Sequence, residues 1–262
     1  SYTILMTSSL LMICGGLGFI TWQELVQYAH AVWSKKLHIL SLYSRIVLYW
    51  SASLLTIFSI IFWILERDNV LTHLSTPAKI TSCLFHAVSF KSAGLLIVDP
   101  TQLQLASLLL IMASSLIGSA PGSTGSGIKI TTLAVLLSSV RAAIAGKAST
   151  DIHGRHIPMD QVYKTLPIVF LSISWIVLTT FCLLITEKNP QFLALLFEAS
   201  SAFTTLGISL GITASLSTIG KIFIILSMVI GRIGSITLLL ALRKRRTEPT
   251  GIKYPEERIM LG

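Results

Sequence analysis

Charge is scarce in this sequence. Asp, Glu, Lys and Arg make up 12% of its 262 residues, about half the share of a soluble domain, and residues 46–65 and 166–186 carry none. A helix rising ~1.5 Å per residue needs about 20 residues to cross the hydrocarbon, so each run is long enough to span. A soluble fold is excluded. The three cysteines, Cys14, Cys83 and Cys182, show no CxxC or His-paired spacing, so neither a disulfide frame nor a zinc site is indicated. Of the six histidines only His153 and His156 are close, in a polar stretch with Gly154, Arg155 and Pro158 that reads as a loop. No uncharged span carries an Asp or a paired His, so the acid, base or metal ligands of a membrane-embedded enzyme are lacking and no covalently bound cofactor is expected. The chain starts at Ser1 inside an apolar segment, with neither an initiator Met nor the basic n-region of a signal peptide, and reads as a fragment.

What is present is an excess of Lys and Arg, net +9, placed between apolar runs rather than on one aromatic-rich face. That is the pattern of membrane topology and not of a nucleic-acid reader. Full-length spans are expected at 2–22, 46–65, 103–137, 166–186 and 222–242. Two shorter apolar stretches, 77–90 and 190–203, each open with Pro at a first helical turn and read as re-entrant half-helices. With both re-entering, Lys35, Lys36, Arg45, Arg141, Lys147, Arg155, Lys164 and the run Arg243, Lys244, Arg245, Arg246 share the cytoplasmic side, and Glu66, Arg67, Asp68, Asp99, Glu187 and Lys188 the other.

An internal repeat organises these segments. Phe90-Lys91-Ser92-Ala93-Gly94 matches Phe203-Thr204-Thr205-Leu206-Gly207, and Ile117-Gly118-Ser119 matches Ile230-Gly231-Arg232, both at a spacing of 113 positions. Each unit reads span, short helix, Gly-centred loop, second span with a mid-helix Gly. Gly15-Gly16-Leu17-Gly18 carries the closing signature alone. The expected architecture is an all-α membrane protein with repeated span–pore loop–span units, about two and a quarter of them present. Residues 1–22 form the second span of an incomplete unit, and 23–45 a cytoplasmic linker. Residues 46–140 form a complete unit with a broken second helix, 141–165 a linker, 166–246 a second complete unit and 247–262 a cytoplasmic tail. A ring of four needs the part that is not here.

Dehydrating a monovalent cation takes oxygens that replace its water, and backbone carbonyls after a pore helix supply them. The candidate filter residues are Ser92, Ala93, Gly94 and Leu95 in one unit and Thr204, Thr205, Leu206, Gly207 and Ile208 in the other. The hydroxyls of Ser92, Thr204 and Thr205 are possible extra ligands. Lys91 beside the filter is expected to point away from the axis, towards a carboxylate such as Glu198. The stretch 118–129 is too rich in Gly, Ser and Pro for a continuous helix. Irregular backbone at membrane depth belongs at a cavity, so Gly118, Pro121, Gly122, Ser123, Thr124, Gly125, Ser126, Gly127 and Lys129 are candidate gate residues. A phosphate loop is excluded because Ile128 stands where its Lys belongs. Arg232, mid-span in 222–242, meets the carbonyls of this stretch, acts as an electrostatic barrier, or pairs structurally with Glu198 or another buried acceptor. A rival reading is a permease domain for a small organic solute, whose inverted repeats would put the two Gly loops on opposite faces.

Nearly the whole chain resembles the bacterial Trk/Ktr-type potassium transporter membrane subunits, most closely in 118–129, 198–211, Arg232 and the ending Tyr254-Pro255-Glu256-Glu257-Arg258. Lys91 stands for a more usual Arg, and Leu95 and Leu96 for an aromatic and a polar residue. The resemblance implies a pseudo-fourfold, cation channel-like pore in the cell (inner) membrane, with K+ at the filter, Gly94 and Gly207 as filter glycines, and 118–127 with Lys129 and Arg232 as gate. It also implies Na+ as a possible co-ion (symport) or activator, surrounding membrane lipid, a homodimer and a cytoplasmic nucleotide-binding regulatory ring.

Overall fold

A computed structural model describes residues 2–35, 39–91, 93–147, 149–188 and 191–234. In chain order the helices are α1 (Tyr2–Gly16), α2 (Phe19–Trp33), α3 (Leu42–Glu66), α4 (Thr76–Ser89), α5 (Leu105–Leu116), α6 (Ile130–Ile144), α7 (Met159–Thr186), α8 (Phe192–Phe203) and α9 (Thr218–Ile233). A two-stranded hairpin, β1 (Thr150–Ile152) and β2 (Arg155–Ile157), precedes α7.

The uncharged runs become the long helices α3 and α7, both apolar enough to cross a membrane. Ser41 caps α3, its hydroxyl accepting from the Ser44 N–H at 3.2 Å. The short apolar stretches become α4 and α8. Pro77 sits in the first turn of α4 as expected, whereas α8 starts only at Phe192 and Pro190 lies outside the described residues.

The connections carry structure of their own. Residues 2–22 are not one continuous helix: the helix breaks after Gly16, Gly18 takes φ +77°, and α2 leaves at 101° to α1. The Trp22 indole N–H donates 2.8 Å to the Cys14 carbonyl across the bend. Residues 23–45 begin as helix, through Trp33. The 141–165 linker is also structured. Its hairpin buries Ile152 and Ile157 against Ile46 and Ala134, and α7 begins at Met159, ahead of the apolar run. The second span of the last unit is described as helix to Ile233, so the run from Arg243, the tail 247–262 and the motif from Tyr254 lie outside the described residues.

The short helices pack differently in the two units: α8 lies between its flanking helices α7 and α9, whereas α4 packs on α3 of its own unit. The helix α1 lies against α4, as the closing helix of a preceding unit would. One apolar cluster joins the units, with Phe62, Phe90 and Ile111 of the first meeting Phe197, Leu206 and Ile208 of the second. Between α7 and α9 the Ser227 hydroxyl meets Thr179 at 2.9 Å and the Trp175 indole at 3.0 Å. Such interhelical bonds contribute about 0.6 kcal/mol each within a bilayer.

The repeat continues through features the sequence did not display. The 3-10 turns Pro100–Gln102 and Thr213–Ser215, and the starts of α5 and α9 at Leu105 and Thr218, keep the 113-residue register.

Candidate functional site

The short helices end at Ser89 and Phe203 and deliver two loops that touch each other. Gly94 has φ +64°, and a Cβ on it would lie well inside van der Waals contact with the Leu206 carbonyl oxygen of the other unit. Gly207 has φ +85° and Thr205 φ +52°, so both loops use the left-handed region that favours Gly.

Each loop is stitched to its own short helix. Ser89 donates its hydroxyl to the Leu95 carbonyl at 2.5 Å, and Ser201 donates to the Ile208 carbonyl at 2.6 Å. Among the described residues the carbonyls of Ala93, Gly94, Thr205, Leu206 and Gly207 accept no protein hydrogen bond. Leu206 is buried, Ala93, Gly94 and Thr205 are half-buried and Gly207 is exposed, so these oxygens edge an accessible space and are free to replace the water of a cation. Of the candidate filter residues, Leu95 and Ile208 thus have their carbonyls turned onto serines, Thr204 turns its hydroxyl back to the Ser200 carbonyl at 2.8 Å, and Ser92 lies outside the described residues.

The outgoing limb of each loop is braced by a buried polar side chain of its helix. His86, stacked 5.0 Å from Phe62, contacts the Ser82 carbonyl through Nδ1 at 2.8 Å, and its Nε2 accepts from the Ile97 N–H at 3.5 Å. In the other unit Glu198 accepts the hydroxyls of Ser209, at 2.7 Å, and Thr213. Glu198 therefore serves neither Lys91 nor Arg232, which corrects both pairings.

One further carboxylate closes each unit. Glu66, fully buried at the end of α3, accepts from the Gln104 N–H (2.9 Å), the Ser107 hydroxyl and the Asn69 amide (2.7 Å). Glu187, at the end of α7, accepts from the Ser217 N–H and, at 2.8 Å, its hydroxyl. Gln104 and Ser217 are the N-cap positions of α5 and α9 and hold the repeat register, so each acid ties the first helix to the positive end of the second. Glu66→Ala leaves two or three buried donors unpaired at about 1–3 kcal/mol each. A fall in the thermal unfolding midpoint of the detergent-solubilised protein, larger than for Glu187→Ala because Glu66 is the more buried, is the expected result.

The Gly-rich stretch 118–129 forms a loop that leaves α5 and rejoins α6. Its ends pair through the Gly118 N–H to the Ile128 carbonyl at 2.9 Å and the Ile128 N–H to Leu116 at 2.9 Å. Gly118 must be Gly, because a Cβ there would strike the Ser126 carbonyl. The helix break at 15–19 provides the socket. Ala120 N–H donates to the Gly16 carbonyl (3.1 Å), Thr124 N–H to Gly15 (3.3 Å), and the Tyr43 hydroxyl to the Pro121 carbonyl (2.9 Å). Two cations complete the hold, Lys129 donating to the Gly125 carbonyl at 2.5 Å and Arg232 to the Thr124 carbonyl at 2.5 Å. Of the alternatives for Arg232, the geometry is that of the loop contact. Gly231 beside it packs on the Phe203 carbonyl, with no room for a side chain.

The cation transport protein family TrkH matches residues 1–250. The chain belongs to that family. Ktr system potassium uptake protein B of Vibrio alginolyticus is 37% identical over 254 residues, covering 96% of this chain and 54% of that protein. Potassium/sodium uptake protein NtpJ of Enterococcus hirae is 37% identical over 266 residues, covering 99% and 57%. The chain thus spans about half the length of the curated relatives it matches. The crystal structure of the potassium transporter TrkH from Vibrio parahaemolyticus shares its fold, with a TM-score of 0.74 at 19% identity over 93% of this chain and 52% of that one. As a TrkH-family member the chain is part of a multi-pass membrane protein of a transporter family, not of an enzyme.

Sequence reasoning missed Glu66 and Glu187 as clamps, His86 as a brace and the break at Gly18 as a socket. A signal existed for the acids, since both directly end or follow the uncharged spans. None existed for Tyr43, whose partner lies 78 positions away.

Proposed function

We propose that this chain supplies two filter loops and the gate of a pore that moves potassium across the cell (inner) membrane. The observation that carries the reading is the contact of Gly94 with the Leu206 carbonyl between two loops whose neighbouring carbonyls are unpaired. K+ sheds its water against the carbonyls of Ala93, Gly94, Thr205, Leu206 and Gly207, with the negative C-terminal ends of α4 and α8 aimed at the same place. The loop 118–127, held by Lys129 and Arg232, closes the route below.

Names of relatives support the ion: potassium uptake for one and potassium/sodium uptake for another. Na+ is accordingly the proposed co-ion or activator. The partners are membrane lipid, a second copy in a homodimer, and a cytoplasmic nucleotide-binding ring that acts on the gate.

Rubidium uptake into potassium-starved cells tests the reading, comparing a coding region extended to the length of the relatives with the 262-residue form. Uptake by the extended form is expected. Its failure there, with the protein present in the membrane, would overturn the proposal.

A further inference from the structure

Lys91 is the residue for which neither filter nor gate accounts. It is 9% exposed, and among the described residues its ammonium has no carboxylate and no hydrogen-bond acceptor. An ammonium so little exposed is costly to keep without oxygens around it, so the group calls for acceptors in some state of the protein. Its surroundings show where they come from. Lys91 lines a cavity of about 220 Å³ with Met12 of α1, Ser51 and Leu55 of α3, Val88 of α4 and Ser119 at the start of the gate loop. At ~30 Å³ per water that is the volume of about seven waters.

The gate loop, for its part, has a matching need. To leave the ion route it must give up the donors that now hold the carbonyls of Pro121, Thr124 and Gly125, namely Tyr43, Arg232 and Lys129. It also needs somewhere to go. The cavity adjoins the loop at Ser119, is otherwise mostly apolar, and has an unused donor in its wall. α1 supplies one side of it and, through Gly15 and Gly16, the socket of the closed loop as well.

We propose that this cavity is the seat of the gate loop in the conducting state, and that Lys91 is a positioning residue whose ammonium donates to the loop carbonyls released from Arg232 and Tyr43. The inference rests on the reading of 118–127 as a gate. It makes Lys91 a link between filter and gate: its backbone belongs to the filter loop, its side chain to the open gate.

The test is a double-mutant cycle on the extended, full-length protein, read by rubidium uptake per amount of protein in the membrane. Lys91→Met keeps the length and removes the charge, Lys91→Arg keeps the charge, and deletion of residues 122–127 removes the gate. Lys91→Met is expected to lower maximal uptake about tenfold with sodium competition unchanged, Lys91→Arg to retain it, and Lys91→Met to have no effect in the deletion background. Ser51→Leu, which fills the cavity, should reproduce the loss in the intact loop only. An equal loss in both backgrounds would assign Lys91 to the filter or to folding, and no loss in either would deny it a role; each overturns the proposal. Absence of uptake by the unsubstituted full-length protein would instead overturn the transport reading itself.

Discussion

Gly94→Ala is expected to abolish rubidium uptake by the full-length protein while Gly207→Ser only relaxes its preference for potassium over sodium. Both glycines have positive φ, so each substitution carries the ~1–2 kcal/mol of a left-handed L-residue. Their surroundings differ. A Cβ on Gly94 overlaps the Leu206 carbonyl, which is backbone and can give way only if the other unit's loop moves. A Cβ on Gly207 has no atom within 4 Å among the described residues. Overpacking of the first kind adds about 1–3 kcal/mol and displaces carbonyls in two loops together. The second strains one loop, and 1.4 kcal/mol corresponds to a tenfold change in an equilibrium, the scale on which an ion ratio would shift. Uptake with and without competing sodium separates the two. Wild-type selectivity in Gly94→Ala would remove the contact of the two loops from any part in ion choice.

Arg232→Gln is expected to raise uptake. The guanidinium holds the Thr124 carbonyl at 2.5 Å, and a hydrogen bond to a charged group contributes about 1.5–3 kcal/mol. Losing it shifts a closed-to-open equilibrium by roughly ten- to a hundredfold, as far as the remaining anchors at Gly15, Gly16, Tyr43 and Lys129 permit. Deleting residues 122–127 removes the anchored carbonyls of Thr124 and Gly125 outright and is expected to raise initial uptake further. If Arg232→Gln also raises uptake in the deletion background, the arginine acts on the ion as an electrostatic barrier and not through the loop. Slower uptake in either variant would argue against a gate at 118–127.

Much of this organisation was legible before any coordinates. The spans of α3 and α7 follow from the uncharged runs, because length and apolarity are local properties of the chain. The short helices and their glycines could be read because the unit occurs twice, so two weak signals reinforced one another at one spacing. What could not be read depends on distant partners. The pairing of Lys91 with Glu198 placed two opposite charges together on plausibility alone, whereas Glu198 satisfies its carboxylate with Ser209 and Thr213 of its own loop. The span assumed for 2–22 was uncharged throughout, and hydropathy does not register that Gly18 adopts positive φ where the chain turns by 101°. The clamp by Glu66 joins residues 38 and 41 positions apart, beyond the reach of periodicity.

The two clamps also show where the duplicated units have been free to differ. From the ends of the short helices onward, the 3-10 turns, the N-caps and the mid-span glycines all keep one register. Upstream they do not: Thr76 opens α4 ten positions after Glu66, whereas Phe192 opens α8 only five after Glu187. On the way into the short helix the chain tolerates slack, because Glu66 and Glu187 fix the start of the following helix whatever the length of the approach. On the way out of the Gly loop it tolerates none, since one inserted residue there would rotate the next helix and lift its capping nitrogen off the waiting carboxylate. Length variation is thus confined to the inbound limb of each hairpin, and the outbound limb is the ruler.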